Sequence, residues 1–377
     1  MQRKEIYDKK QSMTKKMENI SFRKGPSPIP VHIGLAMQHI GTADTKDMER
    51  MLAGIQKYQN HTYRRNVPSL PVIWQEGEAS ILHCAAETEE LSIFLIPSLI
   101  NKSFILDLLP EKSFVRWLAA QGINVYLMDW GEPVRDKMLQ NIDSLVSNRL
   151  CAAMDYVTNK AGGKIHALGY CMGGMFLAAA AKERKEHLKS LIFLASPWDF
   201  SVGDCHLAKQ VKAGTPTALQ LIEQKGYLPM NWIQSVFAAV NADRALSKFS
   251  EFEKMAETSQ DAHLFVAVED WLNEGVDMPG EFAKSCILDW YNGNKSGAGE
   301  WIVNGTLVDP ATLETPALVI ASLNDRLVPR ESSLALARLL PQAKILAPPS
   351  GHIGMMTGHK AEKLVWEPIR QWIREVS

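Results

Sequence analysis

The stretch GKIHALGYCMGGMFLAAAA, residues 163–181, constrains the fold more than any other in the chain. Residues 164–169 form a short run of strand type. An alanine-rich run of helix type covers 172–184. Between them lies a corner flanked by Gly169 and Gly173, with Cys171 at its tip. A strand that turns at once into a helix is the building unit of a parallel sheet with helical crossovers. A corner this tight leaves no room for side chains two places before and after its tip, which explains both glycines.

The same alternation runs on either side. Residues 80–85, 92–99 and 124–129 read as strands before the corner, and 190–196, 317–322 and 343–347 after it. Residues 111–121, 142–160, 332–340 and 359–376 carry apolar positions at helical spacing. Short apolar strands alternating with helices predict an α/β fold: a mostly parallel central sheet with helices on both faces. Residues 201–300 break the rhythm. Helices are expected there over 217–224, 231–240, 261–274 and 281–291, with no strong strand, so this block is expected to be a helical cap insertion over the carboxyl edge of the sheet. The expected organisation is an N-terminal segment 1–66, partly disordered and then helical near 45–59, a core made of 67–200 and 301–377, and the cap 201–300.

The tip of the corner carries the chemistry. Gly169-Tyr170-Cys171-Met172-Gly173 has the G-x-C-x-G form of the nucleophile elbow of α/β-hydrolases, with cysteine in place of serine. The following helix directs its N-terminal amides at the thiol, which favours a thiolate and later an oxyanion. The other reading of Cys171 is a buried structural thiol beside packing glycines. A nucleophile needs a base, and the base an orienting acid. In this fold the chain order is nucleophile, acid, histidine. ALVIAS runs into LNDRLVP and places Asp325 just past a late strand; KILAPPSGHIGMM places His352 in the loop after the last one. The oxyanion donors are expected at the backbone N–H of Met172 and in the loop after the early strand, near Leu99 or Ile100. His166 reads as a packed core residue. Cys205, His206 and His263 are assigned no chemistry. The cap aromatics Trp232, Phe237, Phe265, Trp271 and Trp290 read either as cap core, the preferred reading, or as the lining of an acyl channel.

Composition removes other classes. Charged residues make up 22% and the formal net charge is -1, so there is no basic field for nucleic acid. No apolar run is long enough to span a membrane, and no secretory signal is expected. Five scattered cysteines without a CxxC pair suit a reducing, cytoplasmic location and give no metal site. The first 24 residues are basic and polar. They read as a solvated leader, or as an arm that meets a membrane surface or a partner.

Beyond the corner, PSLINKSFILDLLPEKSFVRWLAAQGINVYLMDWGEP resembles the polyhydroxyalkanoate synthases, which carry a P-L-I-N-K-x-x-I-L-D-L block and a stretch ending Y-x-x-D-W-G-x-P. GYCMGG resembles their G-x-C-x-G-G box, LNDRLVP their D-H-I-V-P motif, and SGHIGMMTGHKAEKLVWEPIRQWI their G-H-I-G motif and closing helix. The resemblance covers roughly 70–200 and 300–377. It implies that Cys171, Asp325 and His352 are catalytic, that the substrate is a 3-hydroxyacyl-CoA thioester and that the product is a polyester. It implies no separate cofactor, coenzyme A being part of the substrate and the leaving group. It also implies a partner, either a second copy or a second synthase subunit, and a place at the surface of polyester granules. Arg326 stands where the family has histidine, and ASPWDF departs from the family's T-x-x-D-F-S. No Walker-type loop marks the coenzyme A phosphates. The rival readings are a hydrolase of the same fold (an intracellular polyester depolymerase or an acyl-CoA thioesterase) using the same three residues with water as acceptor, and a non-catalytic granule-binding relative.

Overall fold

A computed structural model describes residues 23–40, 45–88, 91–203, 205–240 and 242–377. Almost all of the basic leader read from the sequence lies outside the described residues. Contacts group the chain into two units. One joins the described residues up to Tyr63 with Asp243–Asn273; the other is Arg64–Ala242 with Glu274–Ser377. This division cuts through the expected 201–300 block.

The larger unit is built on an eight-stranded sheet. Its strands are β1 Val72–Glu76, β2 Ala79–Cys84, β3 Leu91–Ile96, β4 Ile123–Asp129, β5 Ile165–Tyr170, β6 Leu188–Leu194, β7 Ala317–Ile320 and β8 Ala343–Leu346, in the spatial order β1-β2-β4-β3-β5-β6-β7-β8. β2 pairs antiparallel with both β1 and β4; every other pairing is parallel. The central strands are apolar at nearly every position because helices cover both faces: β5 is buried throughout, and β4 up to its last residue. Helices Cys151–Ala161 and Met172–Glu183 supply part of that cover, and alanines 178–181 let the second lie close to the sheet. The register aligns the strand ends that matter. Gly169 pairs with Ile96, Tyr170 with Leu194, Leu194 with Ile320, and Ile320 with Leu346. The loops after β3, β5, β7 and β8 therefore leave the same carboxyl edge at one level, which is where open α/β sheets bind ligands.

Several elements differ from the sequence reading. The 111–121 helix starts later. Its first residues close a small antiparallel pair, Asp107–Leu109 with Lys112–Ser113, and Ser113 then caps Phe114–Ala120 by accepting from the Arg116 N–H at 2.9 Å. The 142–160 helix opens with a π-helical stretch, Ser144–Leu150. The insertion is not purely helical. Tyr227–Leu228 pairs with Met278–Pro279, and Asn101 bridges to Gly275. Its first helix is longer than expected, His206–Lys225. A second π-helical stretch, Cys286–Asn292, follows the short helix Gly280–Ser285.

The smaller unit is helical where described: Ile29–Ile40, Thr45–Asn60, Ala242–Lys254 and Gln260–Asn273. Ala242–Lys254 was missing from the sequence reading. Its Phe249 and Phe252 are fully buried with Met51, Ile55, Tyr58 and Val266, and that shared core explains why 243–273 groups with the N-terminal helices. A β-carbon on Gly54 would stand 2.0 Å from the Phe249 carbonyl oxygen, so the two helices touch backbone to backbone. Asp270 accepts from Arg23 at 2.6 Å and from the Tyr58 hydroxyl at 2.8 Å. The five cap aromatics are divided. Trp290 is buried in the larger core with Trp232 and Phe237 against it, Phe265 packs on the smaller core, and Trp271 is buried.

Candidate active site

Cys171 sits between the last residue of β5 and the first of the Met172–Glu183 helix, with φ +56° and ψ −124°. A side chain adopts that conformation only under strain. The surroundings enforce it. The Cys171 N–H donates to the Leu194 carbonyl at 2.9 Å, and the Gly174 N–H to the Cys171 carbonyl at 2.9 Å. A β-carbon on Gly173 would lie 2.0 Å from the Ile96 carbonyl oxygen; one on Gly169 would lie 2.4 Å from Gly174 Cα. Both glycines are thus fixed by close backbone approach, and the turn that results lifts the thiol out of the sheet. Cys171 is half-buried, whereas Cys151, Cys205 and Cys286 are buried.

The other two residues arrive from β7 and β8. Asp325 follows β7 and is buried. Its Oδ1 accepts from the backbone N–H of Leu327 at 2.8 Å and of Val328 at 2.9 Å. Its Oδ2 faces His352 Nδ1 at 2.6 Å. The loop carrying His352 is tied back to β7: the Leu323 N–H donates to the Pro348 carbonyl at 3.0 Å, and the buried Ser322 hydroxyl donates to the carbonyls of Pro348 and Ser350. The His352 ring then stacks on Tyr170, centroids 5.3 Å apart and planes 21° from parallel, and the Tyr170 hydroxyl donates to the His352 carbonyl at 3.2 Å. Tyr170 is the residue before Cys171. Strands β5 and β7 are about 10 Å apart across β6, and this stack holds the imidazole against the residue that precedes Cys171.

The electrostatics follow. Burial alone would push the His352 imidazole down. The Asp325 carboxylate, with Tyr170 and Cys171 after it, outweighs burial, and the His352 pKa stands well above the ordinary histidine value. Burial raises the Tyr170 phenol. A partly buried imidazole with its Nδ1 held by a carboxylate and a half-buried thiol within its field can move a proton between sulfur and a leaving group.

The expected oxyanion donors have different surroundings. Met172 opens the helix after the elbow. Leu99 is buried. The Ile100 N–H points at Ser98 Oγ, 3.3 Å away, and its carbonyl accepts from the Val276 N–H at 3.0 Å. His166 is buried against Ser190, with Nδ1 2.8 Å from its hydroxyl, away from the elbow chemistry. The family-like block after β3 makes structural bonds: Lys102 Nζ meets Glu132 at 2.5 Å and the Gly131 carbonyl at 3.1 Å, and Ser103 donates to Asp129 at 3.0 Å. Among the described residues no three His, Cys, Asp or Glu side chains are grouped to hold a metal ion, and no helix is long and apolar enough to cross a membrane. Sequence reasoning missed Tyr170 and Ser322. A polar residue closing an otherwise apolar strand run, as Ser322 does, is a signal that could have pointed to the second of these.

Sheet order, elbow, and an acid and histidine after the last two strands define an α/β-hydrolase-class protein. Among solved structures the chain is similar to BpoC of Mycobacterium tuberculosis (14% identical, TM-score 0.52, covering 84% of this chain and 100% of that one). It is similar to a second structure from that organism with 15% identity and a TM-score of 0.51, covering 79% of this chain and 94% of that one.

Within that class the chain is a relative of the poly(3-hydroxyalkanoate) polymerases, as the motif resemblance implies. It is 29% identical over 313 residues to the polymerase subunit PhaC of Haloferax mediterranei, covering 81% of this chain and 64% of that one. To the PhaC subunit of Allochromatium vinosum it is 27% identical over 296 residues, with coverage of 77% and 82%, and to that of Synechocystis sp. 26% over 298 residues, with 76% and 78%. The chain thus spans under two thirds of the haloarchaeal relative's length. No family model matches the chain.

Proposed function

We propose that this chain is an acyltransferase that polymerises 3-hydroxyacyl-CoA thioesters into a polyester through an acyl group held on Cys171. The observation that carries the reading is a cysteine, not a serine, at the elbow of a chain related to polymerases, with His352 and Asp325 arranged to serve it. His352 Nε2 takes the Cys171 proton and Asp325 holds the resulting imidazolium. The sulfur attacks the acyl carbonyl, the Met172 N–H helps hold the oxyanion, the carbon–sulfur bond to coenzyme A breaks, and the coenzyme thiolate takes the proton from His352. One thioester replaces another, so the acyl group stays activated. The 3-hydroxyl of a further unit then gives its proton to His352 and attacks the acyl-enzyme; the carbon–sulfur bond to Cys171 breaks, the Cys171 sulfur takes the proton back from His352, and the released chain is longer by one ester. Coenzyme A is consumed only as part of the substrate, and no separate cofactor or metal enters. The setting that suits this work is the cytoplasm at a polyester granule surface, beside a second copy or a second subunit.

The test is to incubate the purified chain with 3-hydroxybutyryl-CoA and follow both free coenzyme A and product size. Release of coenzyme A with growing polyester supports the reading. Release with free 3-hydroxybutyrate and no polymer favours a thioesterase. Conversion of added polyester to free acid, without turnover of the thioester, favours a depolymerase.

A further inference from the structure

The loop that follows β3, residues 97–101, is braced by a side chain that the mechanism above does not use. The Trp130 indole N–H donates to the Pro97 carbonyl at 3.0 Å, and both residues are buried. The same indole packs on the helix after the elbow, meeting Phe176 edge to face with centroids 5.8 Å apart. A β-carbon on Gly173 would stand 2.9 Å from the Pro97 carbonyl oxygen, so the loop lies directly on the first turn of that helix. Trp130 thus spans the two segments expected to supply the oxyanion donors: the loop near Leu99 and Ile100, and the helix that opens at Met172. Trp130 is itself fixed. The Gly131 N–H donates to Asp129 Oδ1 at 2.9 Å, and Lys102 Nζ donates to the Gly131 carbonyl at 3.1 Å. Gly131 holds φ +63°, and a β-carbon there would lie 2.3 Å from the Glu78 carbonyl oxygen. The far end of the loop is held as well, the Ile100 carbonyl accepting from the Val276 N–H at 3.0 Å. The stretches 97–102 and 129–133 therefore brace one another beside the nucleophile, and the Trp130 indole is the bond between them that reaches the elbow.

We propose that Trp130 is a positioning residue that holds the second oxyanion donor in place over Cys171 through the Pro97 carbonyl. This rests on the reading of Cys171 as the nucleophile. Oxyanion donors act by standing ready where charge will develop, and losing one costs on the order of 100- to 1000-fold in rate. Misplacing a group by about 1 Å costs on the order of 100-fold. A buried carbonyl in a loop needs a donor to stay where it is. Trp130→Phe removes the indole N–H and keeps a ring against Phe176, so the Pro97 carbonyl loses its donor and the loop its fixed place on the helix.

The experiment compares the parent chain with Trp130→Phe in three measurements. The first is single-turnover coenzyme A release from 3-hydroxybutyryl-CoA. The second is the affinity of a trifluoromethyl ketone carried on a coenzyme A thioether. Its carbonyl carbon accepts the Cys171 sulfur, the thiol proton passes to His352, and the charge stays on oxygen because nothing leaves. The third is the rate at which iodoacetamide alkylates Cys171, read by peptide mass spectrometry. Alkylation forms a carbon–sulfur bond as iodide departs and develops no oxyanion, so it reports the thiol and its base alone. The expected result is a roughly 10- to 100-fold fall in coenzyme A release, a matching loss of ketone affinity, and an alkylation rate like the parent's. Lys102→Met, which frees the Gly131 carbonyl from a partly exposed side chain, should give a smaller loss of the same pattern, and it carries the test if Trp130→Phe does not fold. Unchanged release and ketone affinity overturn this assignment alone. A fall in all three measurements places the effect on the thiol or the fold, and a fall in release without loss of ketone affinity places it outside the oxyanion site; either overturns the assignment. A parent chain that neither releases coenzyme A nor binds the ketone overturns the reading of Cys171 as nucleophile, and this assignment with it.

Discussion

Asp325 Oδ2 lies 2.6 Å from His352 Nδ1, while Oδ1 of the same carboxylate is held by the N–H groups of Leu327 and Val328. The carboxylate is clamped on one side and aimed on the other, so it fixes which imidazole nitrogen carries the proton and leaves Nε2 for chemistry. Asp325→Asn keeps the clamp, since an amide oxygen can accept the two backbone donors. It then presents an N–H to Nδ1 and reverses the tautomer. The expected outcome is a fall in coenzyme A release on the order of 1000- to 10,000-fold with little change in the far-UV spectrum. Turnover within tenfold of the parent would detach Asp325 from the mechanism.

The same pair makes stability depend on pH. Burial acts to lower the His352 pKa, but Asp325, with Tyr170 and Cys171, raises it well above the ordinary 6.5. A folded-state pKa above the unfolded one means the folded form binds the proton more tightly. The contribution is complete below about pH 6.5 and is lost as pH rises through the folded value. Melting temperatures should therefore decline above that point more in the parent than in His352→Gln, which has nothing to titrate there. Parallel curves for the two proteins would contradict the sign of the shift.

How much of this was legible in the sequence depends on how local each cause is. The elbow was legible because a strand, two glycines and a helix are contiguous, and close backbone approach at Gly169 and Gly173 leaves glycine as the residue that fits. Asp325 and His352 were legible through topology, since each follows a short apolar strand in the expected chain order. The stack of Tyr170 on His352 joins residues that sequence spacing cannot relate. The helix Ala242–Lys254 was missed, and the unit boundary with it, because Phe249 and Phe252 find their partners nearly 200 residues earlier, at Met51 and Tyr58. The π-helical stretches were invisible because their apolar spacing overlaps that of an α-helix.

Strain at the nucleophile gives a prediction that separates fold from function. Cys171 holds φ +56°, where any β-carbon is unfavourable. Cys171→Ala and Cys171→Gly should both abolish coenzyme A release. They should differ in stability, with the glycine variant more stable than the alanine variant by about 1 kcal/mol once its larger unfolded-state entropy is set against the relieved strain. Denaturant titration of the two proteins measures this. A less stable glycine variant would mean that the turn is relaxed as it stands.

The five thiols should not react alike. Burial pushes Cys151 up to about 12, raises Cys286 well above its usual value, and raises Cys84. Cys171 is half-buried at the elbow, and Cys205 is buried at a helix N-cap with its sulfur accepting from the Ala208 N–H. Limiting iodoacetamide near neutral pH, read out by peptide mass spectrometry, should label Cys171 first. Prior labelling of Cys151 or Cys286 in folded protein would show that those sites open more readily than the packing implies.

Ser322 offers a test of how the histidine loop is held. Its buried hydroxyl reaches the carbonyls of Pro348 and Ser350, two residues before His352. Ser322→Ala leaves the Ser350 carbonyl without that donor, at a cost of roughly 1–3 kcal/mol, and frees the loop between β8 and the imidazole. Ser322 touches no reacting atom, so it is a positioning residue, and its loss should act through His352. Misplacing a reacting group by about 1 Å can cost on the order of 100-fold in rate. The expected result is a 10- to 100-fold lower kcat with KM nearly unchanged, since the Ser322 side chain is buried and its hydroxyl bonds the histidine loop. A melting temperature a few degrees lower should accompany it. If kcat is unchanged despite the lower melting temperature, the bond serves stability alone, and the stack on Tyr170 is sufficient to place the imidazole.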